Sequence, residues 1–221
     1  MGTEVSPVGP GFLFSPPTGT EDLSEAAQTA VLMGSFASQL VRTKRTRCEH
    51  PDGRAENVAE HSLMLAKVAP ELARLFYPEL DEHLVARFGT IHDDLEAYVG
   101  DTPTDMLANL DQSAKDALEA KGLQQLAADF AHMPGYVQLV REYENQETSE
   151  TQFVRAVDKL MVLLIHIPNR GAVLRANYTY ETFLQYETAL LERDGYKYGE
   201  FDKIKDLRRE LGQWLADEFL R

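Results

Sequence analysis

The chain has 221 residues, of which 43% are hydrophobic and 26% charged, an ordinary composition for one sizeable globular domain. Its net charge of −14 argues against a duplex nucleic-acid partner, because such partners are bound by Lys and Arg on the phosphates. No apolar run approaches the roughly 18 residues of a membrane helix, and no basic and apolar leader opens the chain. We therefore expect a cytoplasmic protein without a membrane partner. The single cysteine, Cys48, excludes a disulfide framework or a thiolate zinc site within one chain.

The start of the sequence predicts an irregular arm followed by helical structure. Residues 1–20 hold four prolines and four glycines without a periodic apolar pattern, which predicts an N-terminal arm, either a simple tail or a lid. Residues 21–221 are then expected to form a single domain. Its first helix is predicted to begin near Ser24, and a basic segment at 41–47 follows that helix.

The rest of the sequence has helical periodicity. Asn57 with Glu60 three residues later predicts a capping box at the start of the second helix, which ends before Pro78. Neither an alternating strand pattern nor an internal repeat is visible, so the sequence predicts an all-α fold. The remaining helices are predicted at about 81–97, 104–131, 135–146, 150–167, 179–194 and 200–220.

Three of these helices carry metal-ligand side chains on faces that are otherwise apolar. His61 lies in the apolar stripe of the second helix, His92 and Asp93 lie in the third, and Asp158 lies in the apolar row of the helix at 150–167. An unpaired charge in a core costs several kcal/mol, so these groups need partners. A hydrogen-bonded core histidine is the ordinary explanation for each one alone, but the set as a whole favours a metal ion.

The donor set indicates which metal and which chemistry. Two imidazoles and two carboxylates favour Mn, Co or Zn over Mg alone, and they leave open positions on a divalent ion. Such an ion lowers the pKa of a coordinated water and polarises a phosphoryl oxygen. Glu96, one helical turn after His92, is suited to accept a proton there, and Asp101 follows a glycine at the predicted helix end. A solvated helix face for Glu96 and a turn residue for Asp101 are the alternatives.

These motifs resemble those of the HD-domain metal-dependent phosphohydrolases, and most of all the bacterial deoxyribonucleoside 5′-monophosphatases. The resemblance rests on Arg-Ala-Glu-Asn-Val-Ala-Glu-His-Ser at 54–62, on the His-Asp pair with the Glu and Gly-Asp that follow it, and on the later Asp. It implies an all-α HD-domain helical bundle, a divalent metal ion, a small nucleotide substrate and a homo-oligomer, a dimer or larger. It also implies that the metal ligands are His61, His92, Asp93 and Asp158, and that the catalytic residues are Glu96 and Asp101.

Phosphate recognition is expected from the basic segment and from one later lysine. Alternate residues of an extended segment point the same way, so two or three of these cations can converge on one anion. The substrate-binding candidates are Arg42, Arg45, Arg47 and Lys159. The monophosphatases carry an Arg-Trp pair after the first helix, whereas the counterpart here is Arg42 with Thr43 and the only tryptophan is Trp214.

The sequence therefore leaves three functions open. The first is a 5′-deoxynucleotidase that cleaves the 5′-phosphate ester of a deoxynucleotide. The second is a triphosphohydrolase that releases tripolyphosphate from a deoxynucleotide such as dATP, because the extra cations also suit a longer phosphate chain. The third is a catalytically silent helical module that binds nucleotides. The intact His, Asp and Glu set favours an enzyme, since binding alone does not need Glu96.

Overall fold

The computed structural model describes residues 14–101 and 112–221, apart from the side chains of 46, 47 and 112–115. Within these residues the fold is helical, as predicted, with one short two-stranded sheet. The helices are Glu25–Arg42 (α1), Val58–Phe76 (α2), Glu82–Ile91 (α3), Glu96–Val99 (α4), Gln112–Asp129 (α5), Pro134–Asn145 (α6), Ser149–Leu164 (α7), Ala172–Asn177 (α8), Tyr180–Arg193 (α9) and Asp202–Phe219 (α10). A 3₁₀ helix, Gly195–Tyr198, separates the last two. None of the described helices is both long and apolar enough to cross a membrane.

The central helix α2 begins as the sequence predicts. The Asn57 side chain accepts a hydrogen bond from the Glu60 amide at 3.0 Å, and Glu60 Oε2 accepts one from the Asn57 amide at 3.1 Å. This capping box fixes the first turn of α2, which then buries His61 in one stripe with Val58 and Leu65.

Close packing brings α2, α3 and α7 together around the apolar core. A Cβ atom added at Gly89 of α3 would lie 3.0 Å from the Ala66 Cα atom of α2, so glycine permits this approach. His61 on α2 and His92, directly after α3, consequently have ring centroids only 5.0 Å apart. A second, smaller apolar cluster lies where α8, α9 and α10 meet the end of α7.

The structure corrects three expectations about secondary structure. Lys44–Glu49 (β1) and Ala55–Asn57 (β2) pair as antiparallel strands, although no strand was expected. The reason is that β1 consists of cations, threonine and other polar residues, without apolar alternation. The predicted helix at 81–97 ends at Ile91, turns over 92–95 and resumes as α4. Helix α8 was not predicted, and the first part of the helix expected at 104–131 lies outside the described residues.

The end of the predicted arm contributes to the core. Residues 14–20 form neither helix nor strand, while 1–13 lie outside the described residues. The Phe14 amide donates a hydrogen bond to the Ala97 carbonyl at 3.0 Å, and its ring packs edge-on against Phe36 and Tyr98. These contacts attach the segment to α4, which carries Glu96.

Candidate metal centre

Two histidines and two aspartates from three separate segments meet at the end of α3. His61 Nε2 lies 3.0 Å from Asp158 Oδ1 and 3.7 Å from Asp93 Oδ2. His92 Nε2 lies 3.0 Å from Asp93 Oδ2 and 3.9 Å from Asp158 Oδ1. Ligand atoms of His61, His92 and Asp158 all lie within 4.8 Å of one another, a spacing that suits one metal ion. The four residues predicted as ligands are therefore brought together, with Asp93 beside the other three.

His92 presents a free lone pair to this cluster. Its Nδ1 lies 3.1 Å from the Gly89 carbonyl oxygen, so Nδ1 carries the proton and donates it. Its Nε2 is buried and has no hydrogen-bond partner among the described residues, although Asp93 Oδ2 lies 3.0 Å away. A metal-ligating histidine characteristically donates its other ring N–H to a carbonyl or carboxylate. The residues present thus fit a divalent ion.

The electrostatics of the cluster support the same interpretation. Burial lowers the pKa of His61 to about 4, which keeps this imidazole in the neutral form that a metal requires. Burial disfavours charge on Asp93 as well, but the neighbouring His92, His61 and Arg45 outweigh it and hold the pKa of Asp93 below its usual range. Asp158 likewise has a lowered pKa, because Lys159 and the two histidines outweigh its burial. Burial lowers the pKa of His92 too, but the charges of Asp93 and Asp158 outweigh it and raise that pKa above its usual value. The set therefore supplies ionised oxygens, a neutral His61 nitrogen and an imidazole, His92, that both aspartates attract.

Glu96 lies beside the cluster without a complete set of partners. Its Oε2 atom is buried and accepts no hydrogen bond from any residue that the structure describes. Burial raises the pKa of Glu96, and the charges of Asp93 and Asp101 raise it further, so Asp101 lies near enough to affect Glu96. The preceding carboxylate, Asp94, differs because it accepts a hydrogen bond from the Tyr136 hydroxyl at 2.5 Å. Glu96 is consequently the carboxyl group that is suited to proton transfer.

A cavity of about 340 Å³ opens in front of these residues. Five of the predicted site residues line it, namely His92, Asp93, Glu96, Asp158 and Lys159. Its basic lining residues are Arg155, Lys159 and Lys197. Further acidic lining residues are Asp116, Glu119 and Glu144. A volume of this size accommodates a small-molecule ligand.

The predicted substrate-binding cations have different positions. Lys159 lines the cavity, with Nζ 2.5 Å from Asp158 Oδ2. Arg45 lies behind the cluster, with Nη1 3.9 Å from Asp93 Oδ2 and Nε 3.7 Å from Glu56 Oε2. Arg42 is exposed at the end of α1 and is not among the lining residues, and the side chain of Arg47 lies outside the described part of the chain.

Sequence reasoning missed two of the basic lining residues. Arg155 precedes Lys159 by four residues on the same helix, so helical spacing could have placed both on one face. Lys197 lies in the 3₁₀ helix after α9, and no local pattern connects that segment with α7. Only the tertiary structure brings it to the cavity.

Comparison with known proteins agrees with this geometry. The model of the HD domain family matches residues 37–194. The chain is 29% identical over 147 residues to the 5′-deoxynucleotidase HDDC2 of Xenopus laevis, a match that covers 64% of this chain and 69% of the relative. It is 32% identical over 122 residues to a 5′-deoxynucleotidase of Erwinia tasmaniensis, covering 50% of this chain and 60% of the relative.

Solved structures show the same fold. A protein described as a predicted metal-dependent phosphohydrolase, from Magnetospirillum magnetotacticum, has a TM-score of 0.63 at 25% identity, over 92% of this chain and 97% of that one. A conserved hypothetical protein from Pyrococcus furiosus has a TM-score of 0.54 at 24% identity, over 80% of this chain and 95% of that one. With its His and Asp cluster, its helical fold and a family match over most of its length, the chain belongs to the HD-domain family, the family of metal-dependent phosphohydrolases that its motifs resemble.

Proposed function

We propose that the protein is a 5′-deoxynucleotidase, which hydrolyses a deoxynucleoside 5′-monophosphate to the deoxynucleoside and phosphate. One observation carries the proposal: the buried, unpartnered His92 Nε2 faces three further ligand-type side chains beside the buried Glu96 carboxyl group. The relatives named 5′-deoxynucleotidase support this substrate class over the triphosphohydrolase alternative. The adjoining cavity is large enough for part or all of a nucleotide.

The ion would be held by His61, His92, Asp93 and Asp158. The mixed nitrogen and oxygen donors favour Mn, Co or Zn over Mg alone. When bound, a divalent ion supplies a Lewis acid that polarises a phosphoryl oxygen and lowers the pKa of a nearby water.

The protein's own residues have three tasks in this reaction. Glu96 orients the attacking water and accepts its proton at Oε2, while the water oxygen forms a bond to phosphorus. The bond between phosphorus and the 5′ oxygen breaks, and Asp101 donates a proton to that leaving oxygen. The proton taken up by Glu96 then returns to Asp101 through solvent, which restores both carboxyl groups. Lys159 opposes the negative charge that develops on the phosphoryl oxygens. The products are the deoxynucleoside and inorganic phosphate, so atoms and charge balance.

The experiment that tests this function is product analysis with two substrates. We expect purified protein with Mn or Co to release deoxyadenosine and inorganic phosphate from dAMP, and AMP in parallel measures the preference for the deoxyribose. Intact tripolyphosphate from dATP, with dAMP unchanged, would replace the proposal by a triphosphohydrolase. No turnover of either substrate with any divalent metal would contradict both and favour a nucleotide-binding module. A cytoplasmic location and a homo-oligomeric state stay predictions.

A further inference from the structure

The basic side of the cavity is built from two segments of the chain. Arg155 and Lys159 lie four residues apart on α7 and flank Asp158, so the three side chains share one face of that helix. Lys197 comes from the 3₁₀ helix Gly195–Tyr198. These are the basic residues among the described lining residues, whereas the acidic ones, apart from Asp158 on α7, lie on α4, α5 and α6 and at the end of α3.

The three cations repel one another, and each of the two lysines also has a carboxylate neighbour, Asp158 for Lys159 and Asp194 for Lys197. Burial lowers the pKa of the Lys197 ammonium, and although Asp194 raises it, the charges of Lys159 and Arg155 lower it further. Lys197 Nζ has one carboxylate partner, Asp194 Oδ1 at 3.0 Å. Arg155 is half-buried in the cavity wall, and among the described residues no hydrogen bond or ion pair involves its guanidinium group. Like charges gathered in one cavity in this way indicate an anion-binding site.

We propose that Arg155 and Lys197, together with Lys159, bind the phosphate group of the nucleotide substrate. The planar guanidinium of Arg155 can donate two parallel hydrogen bonds to one phosphate, and the two ammonium groups supply point charges. Electrostatic repulsion favours the same location, because the acidic lining residues on α4, α5 and α6 repel a phosphate. The phosphate is therefore held against α7, next to Asp158, which keeps its phosphorus atom beside the metal ligands.

Lys197 adds to the basic side of the cavity a residue that the family match does not include. The matched segment ends at residue 194, whereas Lys197 lies three residues beyond it. The inference rests on the proposed function, since it assigns the phosphate-binding residues of the same site. It assigns substrate affinity to Arg155 and Lys197, and it leaves the metal ligands and Glu96 unchanged.

The test compares two wall variants with a matched control. Arg155→Met and Lys197→Met each remove one wall cation and keep most of the side-chain volume. Arg193→Met is the control, because Arg193 pairs with the same Asp194 as Lys197 but does not line the cavity. With the Mn-loaded protein, isothermal titration measures the affinity for inorganic phosphate and for a non-hydrolysable phosphonate analogue of dAMP.

We expect each wall variant to bind both probes about tenfold or more weakly, the size of effect that one charge-assisted hydrogen bond produces. The KM for dAMP should rise by a similar factor with a smaller change in kcat, and Arg155→Lys and Lys197→Arg should restore part of the affinity. Arg193→Met should bind as the wild type does. Unchanged affinity in both Arg155→Met and Lys197→Met, or an equal loss in the control, would contradict phosphate binding by these residues. The proposed hydrolysis would remain intact.

A failure of the proposed function gives a different result. The wild type could bind phosphate but hydrolyse no deoxynucleotide, while Arg155→Met and Lys197→Met lose that binding. In that case the proposed function is wrong and the proposed phosphate site is right. If the wild type binds neither probe, both proposals are wrong.

Discussion

Two clusters of buried charged side chains differ in how completely they are paired. Arg208 on α10 and Glu187 on α9 are only 4% and 6% exposed, yet their partners are complete. Arg208 Nε and Nη2 donate to the two Glu187 carboxylate oxygens at 2.9 Å each, and Nη1 donates to the Lys159 carbonyl. The metal centre is equally buried at His61 and His92, but its His92 Nε2 has no hydrogen-bond partner among the described residues.

This comparison separates a structural pair from a binding site. A buried polar group without a partner is costly, so an unpaired one in a native structure calls for an explanation such as an ion or a ligand. Arg208 and Glu187 need nothing more than each other and one carbonyl. At the metal centre Lys159 and Arg45 lie beside Asp158 and Asp93, but His92 Nε2 and Glu96 Oε2 are buried without a hydrogen-bond partner among the described residues. The predictions below depend on that difference.

The largest expected effect is in the metal centre. Asp158→Asn removes one ionised ligand oxygen, and we expect loss of bound metal and a decrease in kcat/KM of about 10³-fold or more, on the scale of losing a main electrostatic stabiliser. Elemental analysis and steady-state kinetics measure the two quantities. The far-UV circular dichroism spectrum should remain that of the wild type, because the amide has nearly the same volume.

Glu96→Gln is the matched variant for this prediction. It should retain the metal and lose rate, because Glu96 acts on the proton and not as a ligand. If Asp158→Asn kept full metal content and a normal rate, the assignment of the metal centre would be wrong.

The next largest effect is a loss of stability, expected when the fully paired Arg208 and Glu187 are separated. Arg208→Met leaves Glu187 buried without its cation, and we expect the free energy of unfolding to decrease by about 3–4 kcal/mol, measured by urea denaturation. The double variant Glu187→Leu with Arg208→Met should regain most of that loss, since it removes both charges. A double variant as unstable as the single one would show that the unpaired Glu187 charge is not the cause of the lost stability. The Lys159 carbonyl would then be the relevant partner.

Metal addition should stabilise the wild type, because only the folded cluster binds the ion. At a free Mn concentration 100 times the dissociation constant, the gain is about 2.7 kcal/mol, which raises Tm by about 5–10 °C for a chain of this size. Differential scanning calorimetry measures the shift, and a chelator should reverse it. Asp158→Asn should gain nothing, so an equal shift in that variant would place the ion elsewhere.

The smallest effect involves a buried group outside both clusters. Burial lowers the pKa of His166 to about 4, and its Nδ1 has no described partner. Because this value lies below the ordinary 6.5, the unfolded chain takes up the proton first as the pH falls. The contribution of His166 to stability is therefore complete above pH 6.5 and is lost as the pH falls towards 4.

His166→Gln removes this titration. Between pH 7 and pH 4.5 we expect the variant to lose less stability than the wild type, by on the order of 1 to 2 kcal/mol. Urea denaturation at each pH measures the difference, and His83→Gln, at an exposed position, is the control. Parallel curves for His166→Gln and the wild type would contradict the prediction.

Local signals in the sequence were enough for part of this structure. The capping box of Asn57 and Glu60 is formed by residues three apart, so it was predicted together with the start of α2. The polar side chains His61, His92 and Asp158 interrupt apolar stripes, which is a local contradiction visible without a structure. Helical periodicity predicted the fold class and the resemblance of the motifs predicted the family, and both are confirmed.

Other features depend on contacts between distant segments. Glu187 and Arg208 look like solvated helix residues, because charged positions at helical spacing normally face water, and only tertiary packing pairs them. Strand β1 has no apolar alternation, so pairing with β2 rather than propensity determines it. Lys197 reaches the cavity through the packing of the 3₁₀ helix against α7.

The central claim is that the incompletely paired cluster binds a metal ion. The most direct test is an anomalous difference map from a crystal of the protein grown or soaked with Mn. The account predicts one strong peak within about 2.0–2.3 Å of His61 Nε2, His92 Nε2 and carboxylate oxygens of Asp93 and Asp158, the usual ligand distances for such an ion. No peak at these four residues, with the metal absent or bound at another site, would contradict it.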